Sequence, residues 1–302
     1  MAAAGTRFAL IQKDCSLKTE SSKRVDSSRK FSFNRGMVLR VIPLTLLALT
    51  SSISGQPGAT DDSLYANIIV NRAELRMTID TPTAGMLPRG AFDFDMRTYP
   101  IGGVQASLRI GLTDRFTVGV GYGASKLLAD VDPDWNPRLE FIIKLRLHEE
   151  VAGDNLPAIS VGFNSLGYGN YDSDSDRYQV KSAGFHVVFS KNFKSYENPA
   201  GLHWGVNYSL ENDEDNDPDV FLGFNTDVGP NMIFLTEYDL AINDNKRYEV
   251  YGLGRGFLNM GLAWYITDDL SLELDLKNLL RNREDAAAID REARLVYVEY
   301  FY

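Results

Sequence analysis

Among the carboxylates that stand two residues apart in this chain, three pairs fall within apolar-alternating stretches: Asp93 and Asp95, Glu237 and Asp239, and Glu273 and Asp275. On an extended backbone that spacing turns both members of a pair to one face. Such pairs can share a proton, hold a cation or be neutralised by basic neighbours. Arg97 and Lys277 continue two of the runs, and Arg109, Glu140, Lys144 and Arg146 add further charges at alternate positions. Mixed signs on one face favour a packed electrostatic core, because buried charge without a partner is costly. A narrow path for an ion or solute is the next reading, and catalytic carboxylates are the last.

Nucleophilic hydrolysis would need a histidine beside a serine or an acid. The candidates are His148, His186 and His203. His186 lies amid Gly184, Val188 and Ser190 with no acidic residue to orient it, His148 falls at an expected turn, and His203 sits near the base of a strand. No G-x-S-x-G elbow occurs. Structural histidines, and a protein without enzymatic activity, are therefore the expectation.

Two acidic runs could bind a hard cation: Asp172-Ser173-Asp174-Ser175-Asp176 and Glu211 to Asp219. Carboxylates two apart, such as Asp213, Asp215 and Asp217, can converge on Ca²⁺. The second run departs from the EF-hand pattern, with Pro218 where the sharp turn needs Gly and no Glu at the closing position. Solvated surface loops are the favoured reading, with divalent ions bridging them to anionic lipopolysaccharide as a compromise between the two; no other cofactor is expected. Asp132-Pro133-Asp134-Trp135-Asn136-Pro137 leads rigidly into a strand. Trp135 there suits an interfacial anchor better than a sugar-stacking platform.

The elements that must position these residues are strands. Leu270, Leu272, Leu274 and Leu276 alternate with Ser271, Glu273, Asp275 and Lys277, and Phe141, Ile143, Leu145 and Leu147 with Glu140, Lys144 and Arg146. Period-two patterning marks about twelve strands between Gly90 and Tyr302. One of them is drawn as a single strand over Tyr178 to Ser190. The final residues, Leu295 to Tyr302, form an aromatic strand at the chain end. Such a strand must pair, and closing a barrel on the first strand removes the exposed edge. Tyr300 and Tyr302 are the expected closing residues. Counting by twos places Tyr302, Tyr300, Val298 and Val296 on the lipid face, with Arg294 near the headgroups.

Connection lengths bear on the same question, since outer-membrane barrels have short periplasmic turns and long outer loops. Thr113-Asp114-Arg115, Val228-Gly229-Pro230 and Thr267-Asp268-Asp269 are tight; Glu149 to Leu156 and Lys191 to Gly201 are longer. The alternate connections, Lys126 to Asn136, Gly167 to Arg177, Glu211 to Asp219, Ile242 to Gly256 and Leu279 to Glu292, are long and mostly polar or acidic. The reading is an all-β, transmembrane antiparallel barrel with long acidic outer loops. A soluble secreted β-sandwich and an outer-membrane hydrolase of lipid or glycan are the rivals.

Targeting agrees with a membrane destination. Arg35 and Arg40 flank Met37, Val41 to Leu49 is uncharged and rich in Leu, and small residues follow to Gly55. That is a secretory signal, 37–55, too short to span a bilayer as a helix. Residues 1–36 are read as a mis-called start or a disordered extension, 56–89 as a lead that forms an extra strand or a plug, and 90–302 as the barrel. Cys15, the one cysteine, precedes the signal. Of 31 basic and 41 acidic residues the first 40 positions hold nine and three, leaving 22 against 38, or −16. Nucleic acid is thereby a poor partner, since it needs a positive footprint.

Two stretches carry a resemblance. Gly111-Leu112-Thr113-Asp114-Arg115-Phe116-Thr117-Val118-Gly119-Val120 resembles the hairpins common to Gram-negative outer-membrane barrel proteins. Thr81-Pro82-Thr83-Ala84-Gly85-Met86-Leu87-Pro88-Arg89-Gly90 resembles the entry to the first strand of YjbH-like proteins, outer-membrane barrels associated with exopolysaccharide operons. The resemblance implies an outer-membrane location, lipid, lipopolysaccharide and the barrel assembly machinery as partners, and a structural, accessory or narrow-channel role with a polysaccharide as a candidate partner.

Overall fold

The computed structural model describes residues 72–301, apart from 152–154, 194–198, 212–214, 246–251 and 284–288. The signal, the extension with Cys15, Asp213 and Tyr302 lie outside the described residues. The strands are β1 (Ala91–Tyr99), β2 (Gly103–Thr113), β3 (Phe116–Ser125), β4 (Asp134–Trp135), β5 (Glu140–His148), β6 (Ala158–Asn164), β7 (Tyr168–Asp172), β8 (Arg177–Val180), β9 (Gly184–Phe193), β10 (Ala200–Tyr208), β11 (Asp219–Gly229), β12 (Met232–Asp239), β13 (Phe257–Tyr265), β14 (Leu270–Lys277) and β15 (Asp290–Tyr300).

Twelve of these form one antiparallel sheet that closes on itself. The order runs β1, β2, β3, β5, β6, β9, β10, β11, β12, β13, β14, β15, and β15 pairs back with β1. Closure is made at Ala91 opposite Tyr300, and Phe301 N donates to Gly90 O at 2.6 Å. No strand of the twelve is left with an open edge, which is what hydrocarbon demands of a sheet.

The two faces are inverted relative to a water-soluble sheet. Phe94, Leu108, Phe141, Leu145, Leu222 and Leu274 are exposed on the outside, while Asp93, Arg109, Glu140 and Glu273 are buried within. A β-sandwich would do the opposite, burying its apolar face against a second sheet. The soluble alternative is therefore overturned, and the chain is a twelve-stranded barrel of the outer membrane. At Leu274 and its like, lipid takes the place of water.

Three sequence expectations need correction. The strand drawn over Tyr178 to Ser190 is two elements, β8 and β9, because Gly184 takes φ +56 where β9 begins, and a Cβ there would run into the Tyr208 carbonyl. The loop expected at Gly167 to Arg177 is accordingly most of the β7–β8 hairpin. The facing of the last strand is reversed: Arg294, Val296 and Val298 are buried in the lumen, and Leu295 and Tyr297 take the outer row. Register explains it, since Asp93 lies opposite Val298, Asp95 opposite Val296 and Arg97 opposite Arg294.

Residues 72–90 run inside the barrel. They enter beside the short turns, reverse at Thr78–Thr81 and return to β1. The reversal is held by Thr78 N donating to Thr81 O at 2.9 Å and Thr83 N to Arg76 O at 3.1 Å. Leu87 and Ala91 pack on Val296 and Val298, and Ile79 on Ile233, Leu235 and Ala263. Those inward apolar residues are patches of wall matched to an apolar occupant.

Candidate functional site

The lumen is built from alternate residues of the twelve strands, and eleven of the twelve charges expected there are buried: Asp93, Asp95, Arg97, Arg109, Glu140, Lys144, Arg146, Glu237, Glu273, Asp275 and Lys277. Asp239 is half-buried at the end of β12, where its Oδ1 accepts from Ala241 N at 2.7 Å. One ion-pair chain runs through the wall. Arg109 bridges Asp93 (2.8 Å) and Asp95 (2.9 Å), and Arg294 joins Asp95 (2.7 Å) to Glu273 (3.4 Å). A second cluster sets Arg97 and Lys277 against Asp80 and Glu292, with Lys277 2.7 Å from Asp80 and 3.0 Å from Glu292.

Much of this pairing is made by residues the sequence pattern did not nominate. Glu292 and Arg294 lie on the strand whose facing was inverted. Glu74, Arg76 and Asp80 belong to the inserted segment: Arg76 is 2.5 Å from Asp93, and Glu74 meets Arg146. Among the described residues Lys144 makes no ion pair of this kind; its Nζ donates to the carbonyls of Arg76, Thr83 and Gly85 at 3.1, 2.8 and 3.1 Å. Asp275 is buried beside Glu273 and meets no donor among the described residues.

Among the described residues Glu237 is held by hydrogen-bond donors and makes no ion pair. Its carboxylate accepts from the backbone N–H groups of Ile79 (3.0 Å), Asp80 (2.9 Å) and Thr81 (2.9 Å), and from Asn259 Nδ2 (2.8 Å). The hydroxyls of Thr78 and Thr81 lie 2.7 and 2.8 Å away. Three successive N–H groups around one anion make a nest, a concave site of fixed partial positive charge. The wall supplies the anion and the inserted turn supplies the nest.

From the outer side the β7–β8 hairpin folds inward. Arg97 lies over the Tyr168 ring at 4.4 Å and Lys277 at 5.3 Å, and the Tyr178 hydroxyl reaches Glu140 at 3.2 Å. The mouth is tied by Arg177, whose two terminal nitrogens donate to Asp244 at 2.8 Å each, and by Glu211, which accepts from Tyr178 N and Ser182 N. Burial raises the Glu211 carboxyl above its ordinary pKa, against those hydrogen bonds. Between insert and wall the voids hold about 20 to 40 Å³ each, on the scale of single waters.

The calcium expectation meets a divided geometry. Asp215 is buried, with its Oδ2 accepting from Asn245 N at 3.2 Å, and Asp217 is exposed. Among the described residues no group of three His, Cys, Asp or Glu side chains could hold a metal ion. In the other acidic run Asp172 caps its own turn, accepting from Asp174 N at 3.0 Å and Ser175 Oγ at 2.7 Å. Trp135 stacks on Tyr122 with centroids 5.9 Å apart on the outer surface.

One larger cavity, about 560 Å³, opens at the periplasmic end, where the short turns lie. Glu74, Arg146, Ser190, Asn192, His203 and Asn225 are on its wall. His203 is bound on both ring nitrogens, Nδ1 to Ser190 Oγ at 2.7 Å and Nε2 to Asn225 Oδ1 at 2.8 Å. Sequence proximity sets Ser190 beside His186; pairing of β9 with β10 sets it directly opposite His203 instead. His186 Nδ1 contacts its local carbonyl, Gly184 O, at 3.2 Å, and His148 Nδ1 contacts Pro157 O at 3.1 Å.

No protein-family model matches the sequence, and no curated protein matches it. Among solved structures the chain is similar to a KdgM porin (8% identity over 70% of this chain and 99% of that one, TM-score 0.41). It is similar also to an outer membrane channel from Pseudomonas putida F1 (14%, 71% and 97%, TM-score 0.36). A third is outer membrane phospholipase A from Escherichia coli (14%, 76% and 99%, TM-score 0.35). At these identities and scores none of them bears on what this barrel does; its architecture stands on its own closed register and apolar outer face.

Proposed function

We propose that this protein is a closed outer-membrane barrel, a structural or accessory component whose lumen is stoppered by its own residues 72–90 and is no constitutive diffusion channel. The nest around Glu237 carries this reading, because it shows wall and insert built for each other. The ion pairs of Asp80 with Arg97 and Lys277, and the carbonyl cradle of Lys144, point the same way. An accessory role in exopolysaccharide export rests on the resemblance of Thr81 to Gly90 to YjbH-like proteins. Lipid and lipopolysaccharide at the outer face, with divalent ions bridging from the acidic loops, complete the proposed set of partners. The test is planar-bilayer recording of the purified protein. Wild type is expected to be electrically silent, and reproducible ion-selective steps from it would overturn the reading.

A further inference from the structure

The lumen is accounted for by its stopper; the periplasmic cavity is not. Ser190, His203 and Asn225 come from three adjacent strands, β9, β10 and β11, and meet in its wall. We propose that this triad makes the cavity a serine esterase site, with Ser190 the nucleophile and His203 Nδ1 its base, acting on short-chain carboxylic esters of polar alcohols.

The hydrogen bonds define the roles. Asn225 Oδ1 can only accept, so His203 Nε2 carries the ring proton and Nδ1 turns its lone pair to the Ser190 hydroxyl 2.7 Å away. Ala84 N, from the inserted segment, donates to Ser190 Oγ at 2.8 Å, which leaves the hydroxyl proton directed at His203. That is the nucleophile, base and orienting group of a triad, recognised by geometry rather than by order along the chain. His203 is 3% exposed, so its partners hold it in place.

The backbone has been cleared for this contact. Gly201 lies opposite Asn225 on one side and Asn192 on the other. A Cβ at Gly201 would strike Asn225 Oδ1 and come within 3.1 Å of His203 Nε2. Asn192 and Asn225 both stand on the cavity wall, where Asn192 Nδ2 donates to Glu150 Oε2 at 3.0 Å. A volume of about 560 Å³ falls in the range of small-molecule sites, and charged walls at Arg72, Glu74, Arg146 and Asp227 suit a polar alcohol better than a fatty chain.

In the reaction Ser190 Oγ attacks the ester carbonyl carbon while its proton passes to His203 Nδ1. The bond to the alcohol oxygen breaks, and the alcohol leaves with that proton. Water, deprotonated by Nδ1, then attacks the acyl-serine, releasing the carboxylic acid and restoring the hydroxyl.

The experiment treats the full-length protein in mild detergent with a fluorophosphonate probe, maps the adduct by mass spectrometry and follows p-nitrophenyl acetate hydrolysis. An adduct on Ser190 is expected, absent from Ser190→Ala and formed at least about a hundred-fold more slowly in His203→Gln. Asn225 is a positioning residue: Asn225→Ala should slow labelling and displace its pH profile, and Asn225→Asp should restore the rate. Failure of Ser190 to label in wild-type protein that migrates as a folded barrel would overturn the proposal, as would labelling only elsewhere. This decision needs no variant to fold, and it is independent of whether the lumen conducts.

Discussion

Glu237→Ala is the sharpest perturbation of the stoppered barrel. The carboxylate accepts from three backbone N–H groups and one carboxamide, all in the lumen. Each buried donor left without an acceptor costs about 1–3 kcal/mol, so the four N–H donors together stand to lose roughly 4–12 kcal/mol before relaxation, while the hydroxyls of Thr78 and Thr81 can turn to other oxygens of the same turn. Water entering the vacated space will satisfy some of them, and the wall no longer buries a negative charge; we expect a net loss of about 3–5 kcal/mol. Glu237→Gln keeps one acceptor oxygen and should lose about half as much. Urea titration of the barrel in detergent micelles reads the loss, and limited proteolysis of residues 72–90 shows whether it falls on the insert. With the insert loosened, bilayer recordings should show conductance that wild type lacks. An unchanged urea midpoint together with an insert still protected from protease would refute the reasoning, because the nest would then contribute nothing to holding the stopper.

Leu274→Arg should cost about 2–4 kcal/mol in a refolding assay in lipid, since Leu274 is exposed on the hydrocarbon face. Its lumen neighbour Asp275 meets no donor among the described residues, so Asp275→Asn should leave stability unchanged or raise it in the same assay. Arg294→Met should cost about 3–5 kcal/mol, because it strands Glu273 in the lumen and leaves Asp95 with Arg109 alone; a loss near zero would return Arg294 to the headgroups. Deleting Tyr300 to Tyr302 removes the Ala91–Tyr300 closure and should abolish outer-membrane insertion, checked by surface accessibility of the truncated chain.

What the sequence made legible was whatever depends on period two. Strand positions, the charged inner row of β1, β5 and β14, and the apolar outer row at Phe141 and Leu274 follow from alternation alone. Facing failed on β15 because that strand alternates without declaring which row is wet: Val296 and Val298 look like lipid residues until Leu87 and Ala91 are known to sit against them. A lumen that is part apolar defeats the rule that inward means polar. The rows of Glu292 and Arg294 then follow from two neighbours, since pairing with β1 sets Arg97 opposite Arg294. The Ser190, His203 and Asn225 constellation was hidden for a related reason. Its members are 13 and 22 residues apart, and only the register of β9, β10 and β11 brings them together. Register across strands is set by the whole closed sheet, so a site assembled from facing strands stays invisible to any reading that moves along one strand at a time.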